Sequence, residues 1–161
     1  MSYQNANMIM ERMWIGDVKS SVDRGFMRDN KIDVIVNCTK DLMNMFEPYA
    51  IKDLPREVED EYFIKYFRVA CNDNGREEEI DNFLNDTNKI MEEVVTLYKE
   101  GKTLLIHCAA GQQRSCSFAL CFLNRLGYEK KEGYKMIREK REAAFNYGNE
   151  MHFGRAINMF E

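Results

Sequence analysis

Nine residues, His107–Ser115 (HCAAGQQRS), place a thiol, three small residues, two amides, a guanidinium and a hydroxyl at fixed spacing. Five residues separate Cys108 from Arg114. An apolar run before them, Thr103–His107, reads as a strand, and the apolar run from Arg114 to Leu126 reads as a buried helix. A helix N-terminus carries unpaired N–H groups and a partial positive charge, and so binds anions, phosphate above all. Ala109, Ala110 and Gly111 have little or no side chain. Their amides can turn inward around a tetrahedral oxyanion, and Gly111 can take a backbone angle closed to other residues. Arg114 adds a planar fork of donors that matches two phosphate oxygens. Gln112 and Gln113 complete the phosphate-binding loop, their side chains either positioning a hydrolytic water or standing at the rim, and no cation stands between Cys108 and Arg114.

Cys108 lies at the base of this cradle. Thiols at helix N-termini near cations ionise with pKa values of roughly 3.5–7.5, against about 8.5 for a free cysteine. A thiolate beneath a bound phosphate is a nucleophile aimed at phosphorus. Ser115 is the expected hydrogen-bond donor to the sulfur when it leaves. His107 is expected to order the loop by hydrogen bonds and not to act as a base. A buried structural cysteine is the plainer account of Cys108 taken alone. The whole pattern, between an apolar strand and an apolar helix, points to catalysis.

Phosphoryl transfer to sulfur leaves an oxyanion that a positioned acid must protonate. The stretch VACNDNGREEE offers Asp73 on a turn, flanked by Asn72, Asn74 and Gly75. Alone, Asp73 would be a turn residue. Beside the cysteine loop it becomes the general acid, and then the base for water attacking a phosphocysteine. Asp81 and Asp86 compete, but both read as helix-start residues, and Glu77, Glu78 and Glu79 as a solvated helix start.

Other elements must carry these groups. Met8–Ile15 has strand character and ends at Gly16, Ser20 is expected to cap a short helix through about Arg28, and Ile32–Asn37 is a β-branched strand. The least regular stretch is 41–61, read as a surface loop with a short helix. Tyr62–Val69 reads as another strand, followed by a short acidic helix from Glu77 and a second helix over Asp86–Glu100. Lys130–Arg141 and Glu150–Phe160 are amphipathic helices. Helices between β runs predict an α/β fold, a central mostly parallel sheet flanked by helices, with ligands at the carboxyl ends of its strands. No internal linker is visible, so residues 1–161 read as a single domain.

The loop HCAAGQQRS resembles the signature HCxxGxxR[ST] of cysteine-dependent protein phosphatases, and the compact length resembles the small dual-specificity phosphatases. MIMERMWIGD is similar to their opening strand, KIDVIVNCT to their second strand, and YFIKYFRVACNDN to the segment that enters their general-acid loop. The resemblance implies a protein tyrosine phosphatase-like fold, with Cys108 as nucleophile, Arg114 on the phosphate and Asp73 as the acid. It implies a phosphoprotein substrate. Large tyrosine-specific relatives carry an extra N-terminal segment that deepens the pocket, so a chain of this length implies a shallow pocket open to phosphoserine and phosphothreonine as well as phosphotyrosine. Relatives that act on phosphoinositides are basic in the loop, and the RNA 5′-triphosphatases tend to lack the loop aspartate, so both are disfavoured here. A phosphate-binding pseudophosphatase would lack the nucleophile or the acid. A sulfurtransferase, which also uses a cysteine at a strand–helix loop, does not fit the HC…RS frame with Asp73. In some relatives a cysteine near Cys38 forms a protective disulfide with the nucleophile. Cys71 is a second candidate redox partner, although packing is the simpler role for each. The family often has proline after an arginine near REKREAAFN, whereas Glu142 follows Arg141 here. That departure touches the local turn and not the chemistry. Arg138 and Arg141 read either as pocket-flanking cations that attract a phosphosubstrate or, more simply, as a solvated helix face.

Composition agrees. The chain has 161 residues, 45% hydrophobic and 31% charged, enough for a core and a soluble surface. A net charge of −4 argues against nucleic acid as a partner. No apolar run is long enough for a membrane helix, and the N-terminus lacks a secretory pattern, so a cytoplasmic or nuclear setting is expected. Five cysteines without a CxxC pair, and two histidines, form neither a disulfide framework nor a metal site. The chemistry expected needs no metal and no cofactor. Cys116 and Cys121 read as core, the eleven methionines as packing, and His152 as structural.

Overall fold

A computed structural model describes residues 5–46, 64–145 and 153–160. The chain opens as a hairpin: β1 (Ala6–Met10) pairs antiparallel with β2 (Met13–Gly16). The single strand expected over Met8–Ile15 is split at Arg12, which adopts a left-handed φ of 62°. The guanidinium holds that turn by donating to the carbonyls of Tyr98 (2.7 Å) and Lys102 (3.1 Å) and by lying over the Tyr98 ring. Two short helices follow, α1 (Val18–Ser21) and α2 (Arg24–Asp29), capped by the carboxylates of Asp17 and Asp23. Ser20 is therefore not a cap. It lies inside α1, with its hydroxyl donating to the Asp17 carbonyl.

The strands β3 (Val34–Asn37), β4 (Lys65–Arg68) and β5 (Leu104–His107) join β2 in parallel, giving the order β1-β2-β5-β3-β4. Every residue of β3 and β5 is buried, which is why both read as unbroken apolar runs and not as alternations. Val34, Val36, Leu104 and Ile106 pack on one side against α3 (Glu77–Lys99) and α4 (Arg114–Arg125) through Phe83, Met91, Val94, Phe118 and Phe122. Ile35 and Leu105 face the other side, toward Phe26, Met27 and Ile32. The helices α5 (Lys130–Lys140) and α6 (Gly154–Met159) complete the fold.

Two helices were expected between Glu77 and Glu100, yet α3 is one helix of 23 residues. Phe83, Thr87, Met91, Val94 and Tyr98 keep one buried face throughout. Asp86 does not start a helix; its carboxylate accepts the Ala70 N–H at 2.9 Å. Asp81 is engaged by Arg155 of α6 at 3.3 Å. Of the irregular stretch 41–61, Asp41–Phe46 is a turn held by Asn37, whose side chain bonds Leu42 and Asn44. Residues 47–63 and His152 lie outside the described residues, as does the expected start of the last helix at Glu150. Among the described residues no helix is long and apolar enough to cross a membrane.

Candidate active site

β5 is the middle strand of the sheet, and its carboxyl end delivers Cys108 between the ends of β2 and β3. The thiol is buried. Two groups converge on its sulfur, each at 3.2 Å: the Gly111 N–H, which donates to it, and the Ser115 hydroxyl, which shares a hydrogen bond with it. The loop from Ala109 to Gln113 is braced from outside through its carbonyls. Val18 N–H donates to Ala109 (3.1 Å), Arg141 Nη2 to Ala110 (3.3 Å), Arg141 Nε to Gly111 (2.8 Å) and Phe145 N–H to Gln112 (2.7 Å). Ser117 donates to Gln113 through both its N–H and its hydroxyl. In a planar trans peptide the N–H points opposite to the preceding C=O. Five carbonyls tied outward therefore turn the N–H groups of residues 110–114 toward the loop interior. Gly111 has a φ of +68°, and a Cβ there would stand 2.7 Å from the Gly16 carbonyl oxygen. No other residue fits that position.

Arg114 opens α4, and its Nη1 donates to the Cys71 carbonyl at 3.1 Å. Its Nε is buried with no partner among the described residues. This contact ties the cysteine loop to the segment carrying Asp73. Asp73 is exposed on the bend before α3, two residues beyond Cys71. The side-chain amide oxygens of Gln112 and Gln113 are also buried without partners among the described residues. Ala109 and Ala110 are exposed.

The bend is anchored by a residue that the sequence reading placed in solvent. Glu79 is only 3% exposed, and its carboxylate accepts the Asn72 N–H and side-chain amide, each at 3.2 Å. The bond from the Asn72 N–H, ahead of the opposing effect of burial, holds the carboxyl below its ordinary range. The signal was available in spacing: Glu79 precedes Phe83 and Thr87 by one and two turns, on the buried face of α3. Since this acid is depressed, its contribution to stability is present above the ordinary carboxylate pKa and is lost as pH falls through the folded value. Glu79→Ala is expected to cost about 1–3 kcal/mol at pH 7 by orphaning Asn72. Urea unfolding at pH 7 and at acid pH checks this, because the gap between variant and parent narrows once the carboxyl protonates.

His107 is buried with Nδ1 3.2 Å from the Cys108 carbonyl. Burial, reinforced by Arg68 and Arg114, outweighs that bond and lowers its pKa to about 4. The ring is thus neutral at physiological pH, and since a carbonyl only accepts, Nδ1 carries the proton.

All five cysteines are free and buried. The Cys38 N–H donates to the His107 carbonyl at 2.7 Å, which sets Cys38 beside the loop. Burial pushes the Cys38 and Cys116 thiols well up, and those of Cys71 and Cys121 to about 12. Arg138 donates to the Ala144 carbonyl. Arg141, expected on a solvated face, is 2% exposed and grips the loop as described, with Nη1 on the Asn7 side chain at 2.8 Å.

Residues 13–161 match the family described as dual specificity phosphatase, catalytic domain. A protein of Amsacta moorei entomopoxvirus, whose name marks it as an inferred tyrosine-protein phosphatase, is 28% identical over 142 residues, 88% of this chain and 78% of its own. Solved structures share the fold. Human DUSP28 has a TM-score of 0.75 at 16% identity, covering 99% of this chain and 95% of that one. The human tyrosine phosphatase-like serine/threonine/tyrosine-interacting protein has 0.72 at 17%, covering 98% and 96%. The Cydia pomonella PTP-2 phosphatase has 0.69 at 19%, covering 98% and 90%.

Proposed function

The chain belongs to the dual specificity phosphatase catalytic-domain family and is a protein phosphatase, and on that premise we propose that it works through a phosphocysteine formed on Cys108. The observation that carries this reading is the convergence of the Gly111 N–H and the Ser115 hydroxyl on one buried sulfur.

In the first step the inward N–H groups and Arg114 bind the phosphate oxygens, and the Cys108 thiolate attacks phosphorus. The S–P bond forms as the bond to the substrate oxygen breaks, and Asp73 gives that oxygen its proton. In the second step Asp73, now a carboxylate, takes a proton from water as the water oxygen attacks phosphorus. The S–P bond breaks, inorganic phosphate is released, and Ser115 donates to the departing thiolate. His107, neutral and bonded to the Cys108 carbonyl, holds the base of the loop. Gln112 and Gln113 line the loop with their backbone amides. A single domain over residues 1–161 carries all of these parts.

Phosphoproteins are the substrate class, and the uncharged side chains of the loop support a peptide over a polyphosphorylated lipid headgroup. Phosphate release from phosphotyrosine and phosphothreonine peptides tests the substrate range. Release from both is expected. Release from phosphotyrosine alone would keep the chemistry and remove the shallow pocket. Release only from a 5′-triphosphorylated RNA or a phosphoinositide would overturn the substrate class.

A further inference from the structure

A buried cation needs a reason, because taking it from water costs several kcal/mol unless it is paired. Arg141 is 2% exposed, and among the described residues no carboxylate pairs with it. Its three partners among the described residues are neutral oxygens: the Asn7 side chain and the carbonyls of Ala110 and Gly111. Two of the three belong to the loop that surrounds Cys108. The Ala110–Gly111 peptide is the telling one. Its carbonyl accepts from Arg141 Nη2 at 3.3 Å, and its N–H donates to the Cys108 sulfur at 3.2 Å. One planar unit therefore stands between guanidinium and sulfur, with its dipole aligned to both. A cation on the carbonyl polarises the peptide and strengthens its N–H as a donor.

We propose that Arg141 is a positioning residue of the phosphate site, a second guanidinium that acts on the Cys108 sulfur through the Ala110–Gly111 peptide. The inference rests on the assignment of Cys108 as nucleophile. Arg114 and Arg141 then bracket the loop, one from the substrate side and one from behind. The hold on the Gly111 carbonyl at 2.8 Å acts in the same way on the next N–H, that of Gln112, which faces the phosphate.

The titratable and charged groups around Cys108 come from every neighbouring element. They are Cys38 just beyond β3, Cys71 from the segment after β4 with Asp73 acting on it, His107 from β5, and Arg114 and Cys116 from α4. Burial keeps the three other thiols protonated and His107 neutral through the neutral range. A change in Arg141 is thus read at Cys108 against a steady background.

The test follows the pH dependence of iodoacetamide alkylation at Cys108, located by peptide mass spectrometry, with orthovanadate inhibition beside it. In Arg141→Gln, which keeps donors and loses the charge, the alkylation midpoint is expected to rise by about one pH unit. Vanadate is expected to inhibit about tenfold more weakly, and Arg141→Lys should restore most of both. A merely structural arginine would lower the melting temperature and leave the midpoint in place, so a folded Arg141→Gln protein with the parent midpoint overturns the inference. Should that variant fail to fold, Asn7→Ala, which frees Nη1 only, must shift the midpoint in the same direction by less; no shift there overturns it equally. An active parent with an unshifted variant sinks this inference alone. A parent whose Cys108 alkylates as an ordinary thiol, without phosphate release, sinks the nucleophile assignment as well.

Discussion

Cys108→Ser is expected to abolish turnover, with kcat falling by at least about 10⁴-fold, while the protein stays folded and still binds phosphate. The substitution replaces sulfur by oxygen in a site whose donors do not change. Gly111 N–H and the Ser115 hydroxyl still point at the same position. A serine hydroxyl is not ionised near neutral pH, however, and no hydrogen bond among the described residues joins this position to a carboxylate or an imidazole. His107 cannot serve, because its Nδ1 proton is committed to a carbonyl and burial keeps the ring from gaining a second. Rapid acid quench of the parent with a labelled phosphopeptide should trap phosphate on the protein, and the serine variant should trap none. Its affinity for the peptide should change little, since the inward amides and Arg114 remain. Residual turnover within about tenfold of the parent would remove Cys108 from the mechanism.

Asp73→Asn is expected to lower kcat by about 10²–10⁴-fold, the usual span for a lost general acid. The size should depend on the leaving group. A phenol has a pKa of about 10 and departs with modest help. An aliphatic alcohol is a far poorer leaving group, so phosphothreonine hydrolysis should suffer more than phosphotyrosine hydrolysis. Uniform loss across both substrates would mean that Asp73 only shapes the bend. Its exposed position leaves that outcome measurable, since the substitution disturbs no core packing.

The parts of this site that were legible in the sequence are the local ones. The strand–loop–helix frame around Cys108 could be read because apolar runs and small residues lie next to each other along the chain. The hairpin was not legible, since the turn at Arg12 is held by carbonyls 86 and 90 residues away. Nor was the role of Arg141, whose carbonyl partners lie 30 and 31 residues back. An arginine near the end of an amphipathic helix looks the same in sequence whether it meets water or a distant loop. Glu79 differs in kind: its spacing marked the buried face, but an acidic run at a helix start has an equally good local explanation in the helix dipole. The division of α3 into two helices failed for a related reason, because Asp86 resembles a cap until its partner, the Ala70 N–H, is known.

The outward bracing of the loop has a consequence for how such a protein changes over time. The cradle is made of peptide groups, held by Val18, Ser117, Arg141 and Phe145 through carbonyl oxygens alone. The side chains of Ala109 and Ala110 take no part in holding it, and both open to solvent. Those two positions can be rewritten without disturbing the atoms that do the chemistry. Cations there would invite more highly charged phosphates, and aromatic rings would favour flat ones. Preference for a substrate and competence to react with it are thus stored in separate atoms of the same short segment, and selection can act on one while leaving the other untouched.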